Sequence, residues 1–321
     1  MNNMGYKPLI VLAGGSGYLG RLLVHHLKDH FEFLVMGRAM SCPVEVAYQA
    51  YPNNPEEMAF LLNGAYGIVN LAGKSVDCRY TEKNKAEILF SRIETTRFIA
   101  QGIAGCKNPP EVWLNLSSAT IYPDSQEMQR ETSPTPGGNF SEDVCIAWEN
   151  AFFNSPTPST RKVALRTGLV FGETGGAFPV FRSLARYFLA GKQGKGNQFM
   201  SILHEQDFVS ATLHLLNHRS MGTYNVCIPQ PVRNKDFMKL FAQQFNQWPQ
   251  INQPEWLVKL GAMLIKTEAE LVLKSRCVVP ERLLNEGFHF QFDSTESILR
   301  ALKKPISNPM KISHGPSIQE I

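Results

Sequence analysis

Apolar residues along this chain come in short blocks separated by amphipathic stretches. LIVLA, Leu9–Ala13, lies in a strand expected over Lys7–Ala13, and Leu19, Leu22, Leu23 and Leu27 then fall at helical spacing across Tyr18–Asp29. Phe33–Met36 reads as a second strand and Glu45–Gln49 as a third, before a helix that starts near Asn54 and stops short of Gly64. Tyr66–Gly73, YGIVNLAG, is a buried strand ending in small residues. Thr81–Ala104 is a long helix, and Glu111–Ser118, EVWLNLSS, is the next strand. Pro123–Asn139, rich in Pro, Gly, Ser and Thr, is expected to be a surface loop. A helix over Ser141–Asn154 then leads into one strand over Arg161–Gly172. Strand–helix alternation of this regularity predicts an α/β fold with a doubly wound, mostly parallel sheet. Such sheets bind ligands at the carboxyl ends of their strands.

After Gly172 the pattern loosens. Gly191, Gly194 and Gly196 fall in a polar loop, SILHEQDF leads into a helix through Leu216, and Thr223–Ile228 is a late strand. From Pro254 to Leu302 the pattern is mostly helical and predicts a small cap. The expected organisation is a nucleotide-binding domain over residues 1–230, a C-terminal helical domain over 250–302 and a frayed tail over 303–321.

Composition narrows the function class. With 321 residues, 43% hydrophobic and 19% charged, the chain has the makeup of an ordinary globular protein with a substantial core. Its net charge of +4 is dispersed, without the blocks that mark a nucleic-acid partner. No apolar run approaches the roughly 20 residues of a membrane span, and the N-terminus is too poor in apolar residues for a signal peptide. The six cysteines show no Cys-x-x-Cys pair and no nearby histidine spacing that suggests zinc. A cytoplasmic protein is expected, with reduced cysteines, no metal, and a small molecule of unknown identity as its partner.

The chemistry begins at AGGSGYLGR, Ala13–Arg21. Its glycines fit two frames, Gly15-x-Gly17-x-x-Gly20 and Gly14-x-x-Gly17-x-x-Gly20, and the stretch follows a strand and opens a helix. A turn without Cβ atoms lets the backbone approach a pyrophosphate, and the helix N-terminus offers N–H donors; a purely structural turn is the alternative. The second strand ends LVMGR, so Arg38 stands where NAD-specific sites carry an acid. A guanidinium there suits a 2′-phosphate and favours NADP, unless Arg38 is merely a solvated surface residue. Leu71, Ala72 and Gly73 end the fourth strand, where small side chains can admit a cofactor backbone.

Several segments together resemble a known family: GGSGYLGR, VNLAGK (Val69–Lys74), SRIETTRFIA (Ser91–Ala100), CIAWENA (Cys145–Ala151), ALRTGLVFGETGGAF (Ala164–Phe178), GKQGKGNQF (Gly191–Phe199), LHEQDF (Leu203–Phe208) and the C-terminal stretch Glu270–Phe292. They run over nearly the whole chain, with the second glycine frame, and are similar to the atypical and extended short-chain dehydrogenase/reductases called the epimerase family, sugar-nucleotide-epimerase-like proteins with their own C-terminal domain. The resemblance implies a Rossmann-type domain holding NADP(H). It places contacts at Gly14, Ser16, Gly17, Tyr18, Leu19 and Gly20 of the turn, at Gly37 and Arg38, at Leu71 and Ala72, at Glu87 and Arg92, and at Val170. Arg92 can also be read as a helix-surface residue pairing with Glu87 or Glu94.

Short-chain dehydrogenases hold a carbonyl with Ser or Thr and move a proton with a Tyr whose pKa is lowered by a Lys four residues on. SSATIYPD, Ser117–Asp124, is similar to the extended enzymes' serine segment, which makes Ser118 the candidate for binding a carbonyl, with Tyr122 just beyond it. No Tyr in the chain has a Lys four positions later; the helix that should carry the pair has Cys145 and Glu149 at that spacing. Cys145, Glu149, Tyr122, Asp124 and His204 remain as titratable groups near the strand ends. Each has a bland reading as a core, ion-pair or packing residue, and nearby Asp207 reads as a helix cap. The family commonly has Trp two residues before this histidine, where this chain has Ile202. The leading expectation is an NADP(H)-dependent oxidoreductase or epimerase-like enzyme. An NADP(H)-binding sensor with little turnover stands second, and a nucleotide-sugar epimerase, which depends on the missing relay, third.

Overall fold

The structure, a computed structural model, describes residues 7–37, 46–245, 250–264 and 268–303. Its first half runs β1 (Leu9–Ala13), α1 (Tyr18–Leu27), β2 (Glu32–Gly37), β3 (Ala47–Ala50), α2 (Pro55–Leu62), β4 (Gly67–Asn70), α3 (Glu82–Gly105) and β5 (Val112–Ser118). A short 3-10 turn, Ala119–Ile121, leads to β6 (Ser125–Gln129), α4 (Phe140–Phe153), β7 (Arg161–Thr167) and β8 (Leu169–Phe171). Then come α5 (Phe178–Arg186), β9 (Phe199–Met200), β10 (Ile202–His204), α6 (Glu205–Asn217), β11 (Gly222–Val226), β12 (Val232–Arg233) and α7 (Asn234–Gln244). The chain ends with α8 (Glu255–Leu264), α9 (Glu270–Leu273), β13 (Arg276–Val278), α10 (Glu281–Asn285) and α11 (Thr295–Ala301).

Seven parallel strands form the central sheet in the order β11-β7-β5-β4-β1-β2-β3. Both faces are covered, which is why LIVLA is continuously apolar. Ile10 and Leu12 point into a core with α1 and α6, which adds Leu23, Leu27, Phe208 and Leu215. Val11 and Ala13 point the other way, into a core with α2, α3 and α4 that holds Met58, Ile99, Ile103, Trp113 and Phe152. Strand order reverses beside β1, so β1 and β4 end at the switch point where a doubly wound sheet opens a crevice.

Two elements differ from the sequence expectation. Arg161–Gly172 is not one strand: β7 stays in the main sheet, whereas the Leu169 N–H turns to the Ser201 carbonyl (2.8 Å) and β8 pairs with β10. The segment Pro123–Asn139 is not simply a surface loop, because β6 within it pairs in parallel with β13 of the C-terminal segment. That cap therefore contains a strand as well as helices. A third core builds the outer layer from Phe171, Phe178, Phe181, Phe237, Phe241, Ile298 and Leu299, so its residues come from both sides of residue 230.

A buried polar chain ties these layers together. Ser117 Oγ donates to Glu149 Oε1 (2.6 Å), and Arg166 grips the same carboxylate with Nε (2.9 Å) and Nη2 (2.8 Å). Arg166 Nη1 donates to the Tyr122 hydroxyl (2.8 Å), which donates to Asn225 Oδ1 (2.8 Å). Asn225 continues outward, its N–H to Glu131 Oε1 (3.0 Å) and Nδ2 to the Val279 carbonyl (2.9 Å). Removing one member of such a pair strands a charge in the core, at a cost of about 3–5 kcal/mol. Glu149→Ala is therefore expected to lower unfolding free energy by about that amount in urea melts, with the double variant Glu149→Leu/Arg166→Met recovering most of it. A single variant that melts with the wild type would contradict this account.

Candidate cofactor and active site

The glycine turn joins β1 to α1. Gly14 has φ +74°, and a Cβ there would lie 2.8 Å from the Ala72 backbone, so the turn and the end of β4 close on each other only through a glycine. Gly20 packs α1 onto Gly15, where a Cβ would run into the Gly15 backbone. Gly17 begins the helix with no side-chain cap, and a Cβ there would meet only the Gly14 carbonyl oxygen, at 3.5 Å. The first N–H groups of α1 are thus presented to the crevice, the arrangement that suits a phosphate.

Behind the turn, Asn70 positions the NLAG segment. Its Nδ2 donates to Asn115 Oδ1 (2.7 Å), and its Oδ1 accepts from the Ala72 N–H (3.1 Å). The Leu71 N–H reaches the Ala13 carbonyl (2.9 Å). Gly73 lies under Arg92, whose guanidinium carbon would sit 3.1 Å from an added Cβ. Arg92 Nη1 donates to the Lys74 (3.0 Å) and Ile88 (2.9 Å) carbonyls, and the guanidinium lies 5.1 Å from the centre of the Trp148 ring. Glu87 pairs with Lys74 and Glu94 with Arg97 (3.1 Å), so neither carboxylate takes Arg92. Among the described residues Arg92 has no acidic partner, and burial lowers its pKa. A half-buried cation set between backbone carbonyls and an aromatic ring, with no carboxylate against it, has the chemistry to take an anion.

Tyr18, at the start of α1, donates its hydroxyl to Glu205 on α6, and the Glu173 N–H reaches the other oxygen of that carboxylate (3.3 Å). Burial first, then the Glu205 hydrogen bond, push the Tyr18 pKa well above the ordinary phenol value. Gly172 and Gly175 pack so closely on the Tyr18 side chain that neither has room for a Cβ. The segment after Val170, itself buried in β8, is thereby fastened over the glycine turn. Ser16 and Leu19 are half-buried at the turn; Gly37 ends β2, and Arg38 lies outside the described residues.

Ser118 ends β5 on the far side of the crevice. Its Oγ accepts from the Thr120 N–H (3.2 Å) and from Thr120 Oγ1 (3.0 Å), and Thr120 Oγ1 lies 3.4 Å from Cys145 Sγ. With both acceptor positions of Ser118 in use, its own proton is left for a ligand. Tyr122 has a different setting. It is fully buried, its hydroxyl is held between Arg166 and Asn225, and burial pushes its pKa to about 12. That geometry argues against Tyr122 as a group that meets substrate. Glu149 is locked by Arg166, and burial raises the Cys145 thiol pKa, keeping it neutral.

Asp207 does not cap α6. Its carboxylate accepts the Gln291 (2.8 Å) and Phe292 (2.9 Å) N–H groups, which anchors the C-terminal segment. The cap is His204, whose Nδ1 accepts from the Gln206 N–H (3.2 Å) while its ring packs on Phe292. Sequence reading passed over two further groups. Arg276 of β13 and Tyr80 both lie near this end of the crevice: Arg276 and Arg92 are within electrostatic reach of Cys145, and Tyr80 of Arg92. Arg276 reaches it only because β13 pairs with β6, a contact without local sequence signal.

Comparison with known proteins agrees with this geometry. Residues 10–227 match the NAD dependent epimerase/dehydratase family. The chain belongs to that family. Residues 253–302 match a domain of unknown function (DUF1731). Epimerase family protein SA0724 of Staphylococcus aureus (strain N315) is 27% identical over 300 residues, covering 92% of this chain and 98% of the relative. Epimerase family protein SSP1921 of Staphylococcus saprophyticus is 28% identical over 299 residues, covering 91% and 98%. The crystal structure of human epimerase family protein SDR39U1 (isoform 2) with NADPH superposes with a TM-score of 0.82 at 27% identity, over 92% of this chain and 98% of that one. UDP-N-acetylglucosamine 4-epimerase from Bacillus cereus shares the fold, with a TM-score of 0.70 at 15% identity over 92% and 95%. No described helix is long and apolar enough to cross a membrane.

Burial holds the His204 pKa at about 4, below the ordinary 6.5. The folded state resists a proton that the unfolded chain accepts, so this stability is complete above pH 6.5 and declines as pH falls toward 4. His204→Asn, which keeps a capping acceptor, should flatten that limb of the stability–pH curve by on the order of 2 kcal/mol in denaturant melts at pH 7 and pH 4.5. Parallel curves for the two proteins would refute it.

Proposed function

We propose that this chain binds NADP(H) along the glycine turn and acts as an oxidoreductase on a small-molecule carbonyl or alcohol. The observation that carries the reading is Ser118: a hydroxyl at the end of β5 whose acceptor positions are taken by Thr120 and whose proton is free. Cofactor fit is supported by the cradle at Gly14 and Gly17, which side chains would fill or distort, and by Arg92, a cation without an acidic partner among the described residues. The NADPH in the human relative and the place of Arg38 after β2 favour the phosphorylated nucleotide.

When bound, the nicotinamide supplies or accepts hydride. The residues of the chain do the remaining work. The first turn of α1 and Arg92 bind phosphate groups. The Tyr18–Glu205 bond holds the 172–176 segment over the turn and limits water there. Ser118 donates to the substrate oxygen, and Thr120 orients Ser118. With Tyr122, Cys145 and Glu149 all withdrawn from the crevice, the proton comes from solvent through the Ser118–Thr120 hydroxyl pair. The same withdrawal favours a second reading, an NADP(H)-binding sensor with little turnover, and speaks against sugar epimerisation through a tyrosine–lysine relay.

Fluorescence titration should show NADPH bound about tenfold or more tighter than NADH, with Arg38→Ala removing most of that difference. Equal affinities in the wild type would defeat the assignment of Arg38. Following NADPH oxidation against a panel of carbonyls, Ser118→Ala should lower kcat by about 100-fold while leaving NADPH affinity unchanged. Tight binding with no carbonyl reduced would move the conclusion to the sensor.

A further inference from the structure

Outside the crevice, His214 lies in the last turn of α6 and His218 is the residue that caps that helix, its N–H bonded to the His214 carbonyl, which brings the two rings side by side. The rings are stacked, with centroids 4.9 Å apart and planes inclined by 14°. Glu286, just past α10, faces them from the C-terminal segment. Its Oε2 lies 3.9 Å from His214 Nε2 and 3.7 Å from His218 Nδ1, and the three atoms all fall within 4.8 Å of one another. These distances are too long for direct hydrogen bonds to the rings and suit three atoms arranged around a common centre. His214 Nε2 is buried and has no hydrogen-bond partner.

The surroundings brace this triad as outer groups brace metal ligands. The other oxygen of Glu286 accepts the Tyr224 hydroxyl (2.5 Å), which in turn accepts from Arg282 Nη2 (2.7 Å). Ser220 Oγ donates to Glu286 Oε2 (2.7 Å) and accepts from His218 Nδ1–H (2.9 Å), so the hydroxyl bridges two of the converging atoms and an ion would replace it together with the Nδ1 proton. A depression bordered by Ser210, Leu213, Asn217 and Phe288 opens the histidines to solvent and gives an ion a way in.

We propose that His214, His218 and Glu286 bind a divalent transition-metal ion of the zinc type, completed by water, which clamps α6 to the C-terminal segment. Two imidazole nitrogens four residues apart plus one carboxylate oxygen form a borderline donor set that suits such ions over calcium or magnesium. The ion is structural in this assignment and independent of cofactor binding.

The test uses full-length protein freed of any polyhistidine tag and stripped with chelator. Titration with Zn2+ by calorimetry should show one ion per chain, and Co2+ should give visible d–d absorption bands on occupying the same site. Zn2+ should also raise the melting midpoint. His218→Ala, on a half-exposed ring that folding does not require, and Glu286→Gln should each weaken uptake about tenfold or more. His26→Ala/His30→Ala, which alters surface histidines on and just beyond α1, should leave uptake unchanged. Absence of saturable uptake, uptake that survives His218→Ala, or uptake abolished by the His26/His30 variant would each overturn the assignment. If Glu286→Gln fails to fold, the His218→Ala comparison decides the matter alone.

Discussion

The ion pair between Arg166 and Glu149 is the constraint around which the crevice is arranged. Both side chains are withdrawn from water at the centre of the molecule, where an unpartnered charge is costly. Glu149 is therefore held aimed at Arg166 of β7, and Ser117 completes its hydrogen bonding. Arg166 in turn has to reach Tyr122, which passes the chain to Asn225 and so to the C-terminal segment. A helix with this carboxylate four residues after Cys145 has no place for a lysine at that position. The missing proton relay and the buried network are two views of one packing solution.

That solution leaves a crevice with a distinctive division of labour. One side is formed by the glycine turn, the NLAG segment and Arg92, the groups proposed to hold the nucleotide. The other side offers the Ser118 and Thr120 hydroxyls, with the Cys145 thiol buried behind Thr120 and Arg276 brought near by the β6–β13 pairing. Between them, the Tyr18–Glu205 bond fastens the 172–176 segment to the turn. The C-terminal segment is thus a part of the crevice, joined to the sheet through Asn225–Val279, Asp207–Gln291 and Ser275–Asp124 contacts.

Much of this was legible in the residues. LIVLA, YGIVN and EVWLNLSS are buried on both faces of a parallel sheet, and that condition writes itself into sequence as unbroken apolar runs. SQEMQ at Ser125–Gln129 carries no such mark: four of its five residues are outside the buried core, and its partner strand lies about 150 residues away. The same non-locality hid the break at Gly168, where β10 captures the strand, and the true anchor role of Asp207. The sequence reading passed over His214 and His218, because Glu286 comes to lie beside them only in the folded chain.

Local periodicity and turn chemistry are properties of neighbouring residues, so the sequence by itself determined the strand–helix alternation, the glycine turn and the absence of a Tyr-x-x-x-Lys relay. Ionisation, burial and the direction of a proton depend on what distant segments bring together. Only the tertiary structure decided that Arg92 stands without an acid among the described residues while Glu87 takes Lys74, that Ser118 accepts from Thr120 while Tyr122 is buried between Arg166 and Asn225, and that Glu149 serves Arg166. Each of these outcomes turns on which side chains the fold brings together, and that is fixed by packing rather than by order along the chain.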